Sequence, residues 1–119
     1  MLGVDLVKIE RIKKAIERHG DAFTQKFLSD TEIKDSKHIS SIAAKWAAKE
    51  AVSKALGCGI GGKLGFLDIE IKKDANGAPY AILSERSSKI FGVNKVHISI
   101  THDGEYAVAA AFIYPPPTN

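Results

Sequence analysis

The chain reads as an α+β protein: an antiparallel sheet with one long central helix. Three observations predict it. Apolar, β-friendly runs are separated by helical stretches. Two hairpin signals, Asn76-Gly77 and Asp103-Gly104, join neighbouring runs end to end. An alanine-rich stretch over about 41–56 holds neither glycine nor proline, which makes it the longest helix.

The elements follow in order. Leu2, Val4, Leu6, Val7 and Ile9 mark a strand over 2–9. Ile12, Ala15 and Ile16 recur at helical spacing over 10–19, and Gly20 suits the end of that helix. Ser29-Asp30-Thr31-Glu32 sets a serine three residues before a glutamate, the capping-box pattern of a short helix. Ser40 and Ser41 are positioned to cap the long helix, and Gly57 to stop it. Gly57, Gly59, Gly61, Gly62 and Gly65 form a loop, expected to act as a hinge or lid. It lacks the lysine and serine/threonine ending of a phosphate-binding P-loop. Phe66, Leu67, Ile69 and Ile71 predict a strand, paired through Asn76-Gly77 with one near 79–83. Ser84 caps a helix running to about Phe91, closed by Gly92. Val96 to Ile100 alternates as a half-buried strand, and Tyr106 to Tyr114 returns beside it. Pro115-Pro116-Pro117 is expected to fray beyond it.

The chain has 119 residues, 45% hydrophobic and 26% charged, a balance that fits one globular domain over 1–119 and excludes disorder. A net charge of +3 and a pI near 9.0 favour acidic or phosphate-bearing partners without indicating nucleic acid. Cys58 is the lone cysteine, so no internal disulfide forms. Its surroundings carry no metal-ligand spacing. No apolar run approaches the roughly 20 residues that span a bilayer. Asp5 stands where a signal peptide would be basic and then apolar. A cytoplasmic protein without a membrane partner is expected.

Three groups of residues carry candidate chemistry. On the long helix, Trp46, Glu50 and Lys54 lie one turn apart on a shared face, with Lys45 and Lys49 on the neighbouring stripe. A solvated helix with a Glu50–Lys54 pair is the plain alternative. Asp5 sits in an apolar strand, where a carboxylate is costly unless paired, solvated at an edge or bound to metal. Magnesium favours a few carboxylates completed by phosphate oxygens and water, which Asp5 and Glu50 can supply around a pyrophosphate. His102, at a strand end, either binds phosphate or stabilises the turn, while Asp103 shapes that turn. Ser99 and His102 do not make a hydrolase pair, because no glycine-flanked nucleophile elbow surrounds Ser99.

Three blocks, taken together, resemble the holo-acyl-carrier-protein synthases, the small bacterial type of 4′-phosphopantetheinyl transferase. They are Gly3-Val4-Asp5-Leu6 with Ile9-Glu10-Arg11-Ile12, then Trp46 to Ala51 with Ser53 to Gly57, then His97 to His102 with Tyr106-Ala107. Phe66 to Ile71 and Asn76 to Pro79 also look like the family. The resemblance spans nearly the whole chain. It implies that Asp5 and Glu50 bind Mg2+, and that Glu50 and Lys54 are catalytic. It implies that Lys45, Lys54 and His102 meet coenzyme A and that Arg11 docks an acidic acyl carrier protein. Lys45 stands where many members have arginine, which keeps the charge but not the bidentate fork. Trp46 replaces the usual phenylalanine as a packing residue. A homotrimer with sites between subunits is implied, serving fatty acid biosynthesis.

The implied reaction moves phosphopantetheine from coenzyme A to a carrier serine and releases adenosine 3′,5′-bisphosphate. Either Glu50 or a water at the metal takes the serine proton. Two other classes use similar residues: a nucleotide-hydrolysing enzyme without a protein acceptor, and a basic nucleic-acid module. The latter lacks the aromatic-rich basic strand of RNA binders.

Overall fold

The structure, a computed structural model, describes residues 1–114; the Pro115-Pro116-Pro117 expectation lies outside the described residues. The chain runs β1 (Leu2–Lys8), α1 (Ile9–His19), α2 (Asp21–Phe27), α3 (Asp30–Lys34) and α4 (Ile39–Ala55). A 3₁₀ turn at Phe66–Asp68 follows, then β2 (Ile69–Lys73), β3 (Pro79–Leu83), α5 (Glu85–Phe91), β4 (Lys95–Asp103) and β5 (Tyr106–Phe112). The sheet has the order β1-β5-β4-β3-β2 with every neighbouring pair antiparallel. The α+β class and the long central helix are as expected.

Period-two alternation gives the sheet a covered face and an open one. On β5, Ala107, Ala109 and Ala111 are fully buried under α4 together with Val7 and Val96. Small residues there let the helix lie close. Gly3 marks the closest approach: a Cβ at this position would lie 2.5 Å from the Ala55 nitrogen and nearer still to the Ala51 carbonyl oxygen. Only glycine fits. The opposite face leaves Leu2, Val4, Leu6, Tyr106 and Phe112 exposed.

α4 itself departs from the solvated alternative. Ala43, Ala47, Ala48, Ala51 and Val52 are fully buried, as are Lys49 and Ser53, and Lys45 is 8% exposed. A helix buried on most sides belongs to the core rather than the surface. It begins at Ile39, not Ser41, with His38 at the cap and no side-chain capping bond. The His38 carbonyl accepts from the Ser41 and Ile42 N–H groups, so the serines fall inside the first turn instead of capping it.

Other boundaries shift for identifiable reasons. α2 was not expected; it fits between Gly20 (φ +56°) and the capping box because Phe23 and Phe27 pack on Trp46. Phe66 and Leu67 fall outside the strand because the Asp68 N–H turns back to the Gly65 carbonyl. In the β2–β3 connection the Asp74 carboxylate accepts from the Asn76 and Ala78 N–H groups. Only Gly77 is left-handed (φ +83°), so the connection is a three-residue loop rather than a two-residue Asn-Gly turn. The β4–β5 turn centres on Gly104-Glu105, with positive φ at Gly104 alone. The capping box at Ser29/Glu32 and the Ser84 cap form as expected.

Candidate active site

β1 lies on the C-terminal half of α4 because Gly3 removes the obstacle, and Asp5 follows two residues later on the same face. Its carboxylate meets the helix turn that carries Lys54. Lys54 Nζ donates to Asp5 Oδ1 at 2.9 Å and to the Val4 carbonyl at 3.3 Å. The Glu50–Lys54 pair of the plain alternative does not form among the described residues: the strand carboxylate takes the lysine. Among the described residues no group hydrogen-bonds to the Glu50 carboxylate. Burial, and after it the Asp5 charge, raises the Glu50 pKa above its ordinary 4.5, with Lys54 and Arg11 pulling the other way.

Two hard carboxylates that repel one another, one without a hydrogen-bond donor, are what a divalent cation relieves. The donor set suits magnesium: few protein oxygens, with room for phosphate oxygens and water. Among the described residues no group of three or more acidic, histidine or cysteine side chains could hold a metal by itself.

Lys45 and His102 form a second group. They line a cavity of about 220 Å³ with Ser40, Ser41, Lys73 and Pro79. His102 is exposed and makes no side-chain hydrogen bond among the described residues. In the sheet register it aligns with Ala107 and Val7, on the face that carries Asp5. Two strand spacings and two residues along a strand separate it from Asp5, roughly 12 Å between Cα positions. Burial lowers the Lys45 pKa below 10.5; Glu32 opposes this and Lys73 reinforces it.

Arg11 lies on α1 with Lys14, Arg18 and His19, which together line a shallow basic groove. Lys13, two residues from Arg11, is not part of it. Arg18 was not singled out in the sequence, although its i+7 spacing from Arg11 was the available signal.

The residues most thoroughly missed are Glu32 and Lys49. Both are fully buried and joined at 2.7 Å. Lys49 Nζ also donates to the carbonyls of Phe27 at 2.6 Å and Phe66 at 3.1 Å, which uses all three of its N–H groups. Glu32 Oε1 accepts from the Ser29 N–H, and Oε2 from the Ile71 N–H at 2.8 Å. The carboxylate thus occupies the place of a missing strand neighbour at the β2 edge. Burial lowers the Lys49 pKa despite the Glu32 charge. Beside this network, Trp46 packs 5.0 Å from Phe27 and 4.8 Å from Phe66 between ring centroids, the packing role expected of it.

Comparison with known proteins shows the family. The profile of the 4′-phosphopantetheinyl transferase superfamily matches residues 1–111. Holo-[acyl-carrier-protein] synthases of Sulfurovum sp. and Aliarcobacter butzleri are 49% and 50% identical, covering 94% and 92% of this chain and the same shares of theirs. The crystal structure of the Helicobacter pylori holo-[acyl-carrier-protein] synthase in complex with coenzyme A superposes with a TM-score of 0.89 at 43% identity, over 93% of this chain and 97% of that one. The Neisseria meningitidis enzyme gives 0.85 at 31% identity, over 92% and 94%. The chain belongs to the 4′-phosphopantetheinyl transferase superfamily and, within it, to the holo-[acyl-carrier-protein] synthases.

Proposed function

We propose that this single-domain chain transfers 4′-phosphopantetheine from coenzyme A to a serine of apo-acyl carrier protein, with Mg2+, in the cytoplasm, supporting fatty acid biosynthesis. The observation that carries the reading is the convergence of Asp5, Glu50 and Lys54 where Gly3 lets β1 touch α4. The coenzyme A bound to the Helicobacter pylori relative supports the donor.

The serine oxygen attacks the β-phosphorus, a new P–O bond forms, and the bridging P–O bond breaks to release adenosine 3′,5′-bisphosphate. Asp5 and Glu50 hold the metal, which when bound supplies charge neutralisation and alignment of the pyrophosphate. Lys54 counters charge on the departing phosphate. The serine proton passes to Glu50 or to a water beside it. Arg11, with Lys14 and Arg18, draws in the acidic carrier.

Lys45 and Lys54 are nine residues apart on α4, about two and a half turns, so they project from opposite sides of the helix. One coenzyme A meets both when two chains contribute to each site. Asp5, Glu50 and Lys54 then come from one chain, with Lys45 and His102 from its neighbour around a homotrimer. The exposed Leu2, Val4, Leu6 and Phe112 support an open sheet face that packs on other copies.

The test is release of adenosine 3′,5′-bisphosphate, followed chromatographically. Release should require both apo-carrier and magnesium and stop with chelator. Release without carrier would favour a nucleotide hydrolase instead.

A further inference from the structure

Lys45 has a four-carbon flexible stem, is nearly buried, and still lines the cavity. Among the described residues its ammonium has one hydrogen-bond partner: Nζ donates to Ser36 Oγ at 2.7 Å. The hydroxyl is itself held, because Ser36 Oγ donates to the Glu32 carbonyl at 2.7 Å. With its proton committed there, the oxygen presents its lone pairs to Lys45. Glu32 in turn is rooted by its side chain on Lys49 and on the Ile71 N–H. A chain of fixed groups thus runs from the buried core to the cavity wall.

Two features make this anchor informative. Lys73 lines the same cavity, and its charge repels Lys45, so an untethered ammonium would favour swinging away. The carboxylates of Glu32 and Asp35 are close enough to act on Lys45 electrostatically, but no salt bridge joins either to it among the described residues. The anchor is neutral. A hydroxyl fixes the ammonium without cancelling its charge and leaves N–H donors for an incoming anion.

We propose that Ser36 is a positioning residue that aims Lys45 at a phosphate on the nucleotide end of coenzyme A. This rests on the reading that the cavity lined by Lys45 and His102 receives that end.

Adenosine 3′,5′-bisphosphate is the probe, titrated calorimetrically into the full-length protein and its Ser36→Ala, Lys45→Ala and doubly substituted forms. Ser36→Ala should weaken binding roughly 3- to 10-fold, the worth of one hydrogen bond. In turnover the loss should appear in KM for coenzyme A and not in kcat. Ser36→Thr should restore binding, and Ser36→Ala should add nothing once Lys45 is already alanine. Should Ser36→Ala fail to fold, Ser36→Cys supplies the same comparison with a poor acceptor of nearly equal size. Unchanged binding in Ser36→Ala, or a loss that persists in the Lys45→Ala background, overturns the positioning role alone. Unchanged binding in Lys45→Ala removes the cavity reading itself.

Discussion

Lys54 separates a catalytic reading from a surface one. Its pair with Asp5 is half-exposed on the lysine side, so its loss should cost under about 1 kcal/mol of stability. Loss of a cation facing developing phosphate charge should cost turnover about a hundredfold or more. Lys54→Ala should therefore melt near the parent and turn over slowly, as thermal unfolding and steady-state kinetics will show. The reverse is expected of Lys49. Lys49→Met leaves the buried Glu32 carboxylate without its counter-charge, and urea unfolding should register a loss of about 3–5 kcal/mol. Asp5, Glu50 and Lys54 were legible in the sequence because a carboxylate in an apolar strand and a four-residue spacing on a helix are local signals. The Glu32–Lys49 network was not. Glu32 has the spacing of a capping-box acid, and Lys49 that of a surface lysine. Their burial depends on carbonyls of Phe27 and Phe66, which tertiary packing alone brings near.

At the level of elements, the contact of β1 with α4 sets the geometry of the site. Gly3→Ala puts a methyl group against helix backbone that cannot yield cheaply. Overpacking of this kind costs about 1–3 kcal/mol, and here it also moves Asp5 away from Glu50. Magnesium should then half-saturate turnover at a clearly higher concentration, a change that lost stability alone would not produce. A second joint lies at Asp68, which accepts from the Gly65 N–H at 2.8 Å, Ser84 Oγ at 2.7 Å and Arg86 Nη2 at 2.6 Å. Burial would raise its pKa, but these donors prevail and hold it below 3.8. A carboxylate depressed in the folded state stabilises above its unfolded pKa and loses that contribution as pH falls through its folded pKa. The Tm advantage of the parent over Asp68→Asn should thus be constant near neutrality and close below pH 3.8. The elements themselves were mostly legible, since glycines and serine caps punctuate them. The start of α4 was misplaced because a backbone carbonyl, that of His38, does the work expected of a serine hydroxyl. α2 escaped because its packing partners, Trp46 and Phe66, lie far along the chain.

For the whole molecule, charge and assembly make separate demands. Arg11→Glu should raise KM for the carrier and flatten its salt dependence with little change in coenzyme A affinity, because rim charges act on encounter and are screened. An unchanged carrier dependence would remove Arg11 from the interface. β5 carries apolar residues on both of its faces. α4 covers one, and Val4, Leu6 and Phe112 leave the other open. If subunits share the site, mixing inactive His102→Ala and Glu50→Ala chains should recover part of the activity through hybrid trimers. Absence of recovery from a mixed trimer would confine each site to one chain.

The most direct measurement is the intact mass of an apo-acyl carrier protein incubated with this chain, coenzyme A and magnesium. The carrier should gain the mass of one phosphopantetheine, and a carrier whose acceptor serine is alanine should gain nothing. No mass gain on the apo-carrier, from folded protein at saturating coenzyme A and magnesium, would contradict the transferase reading.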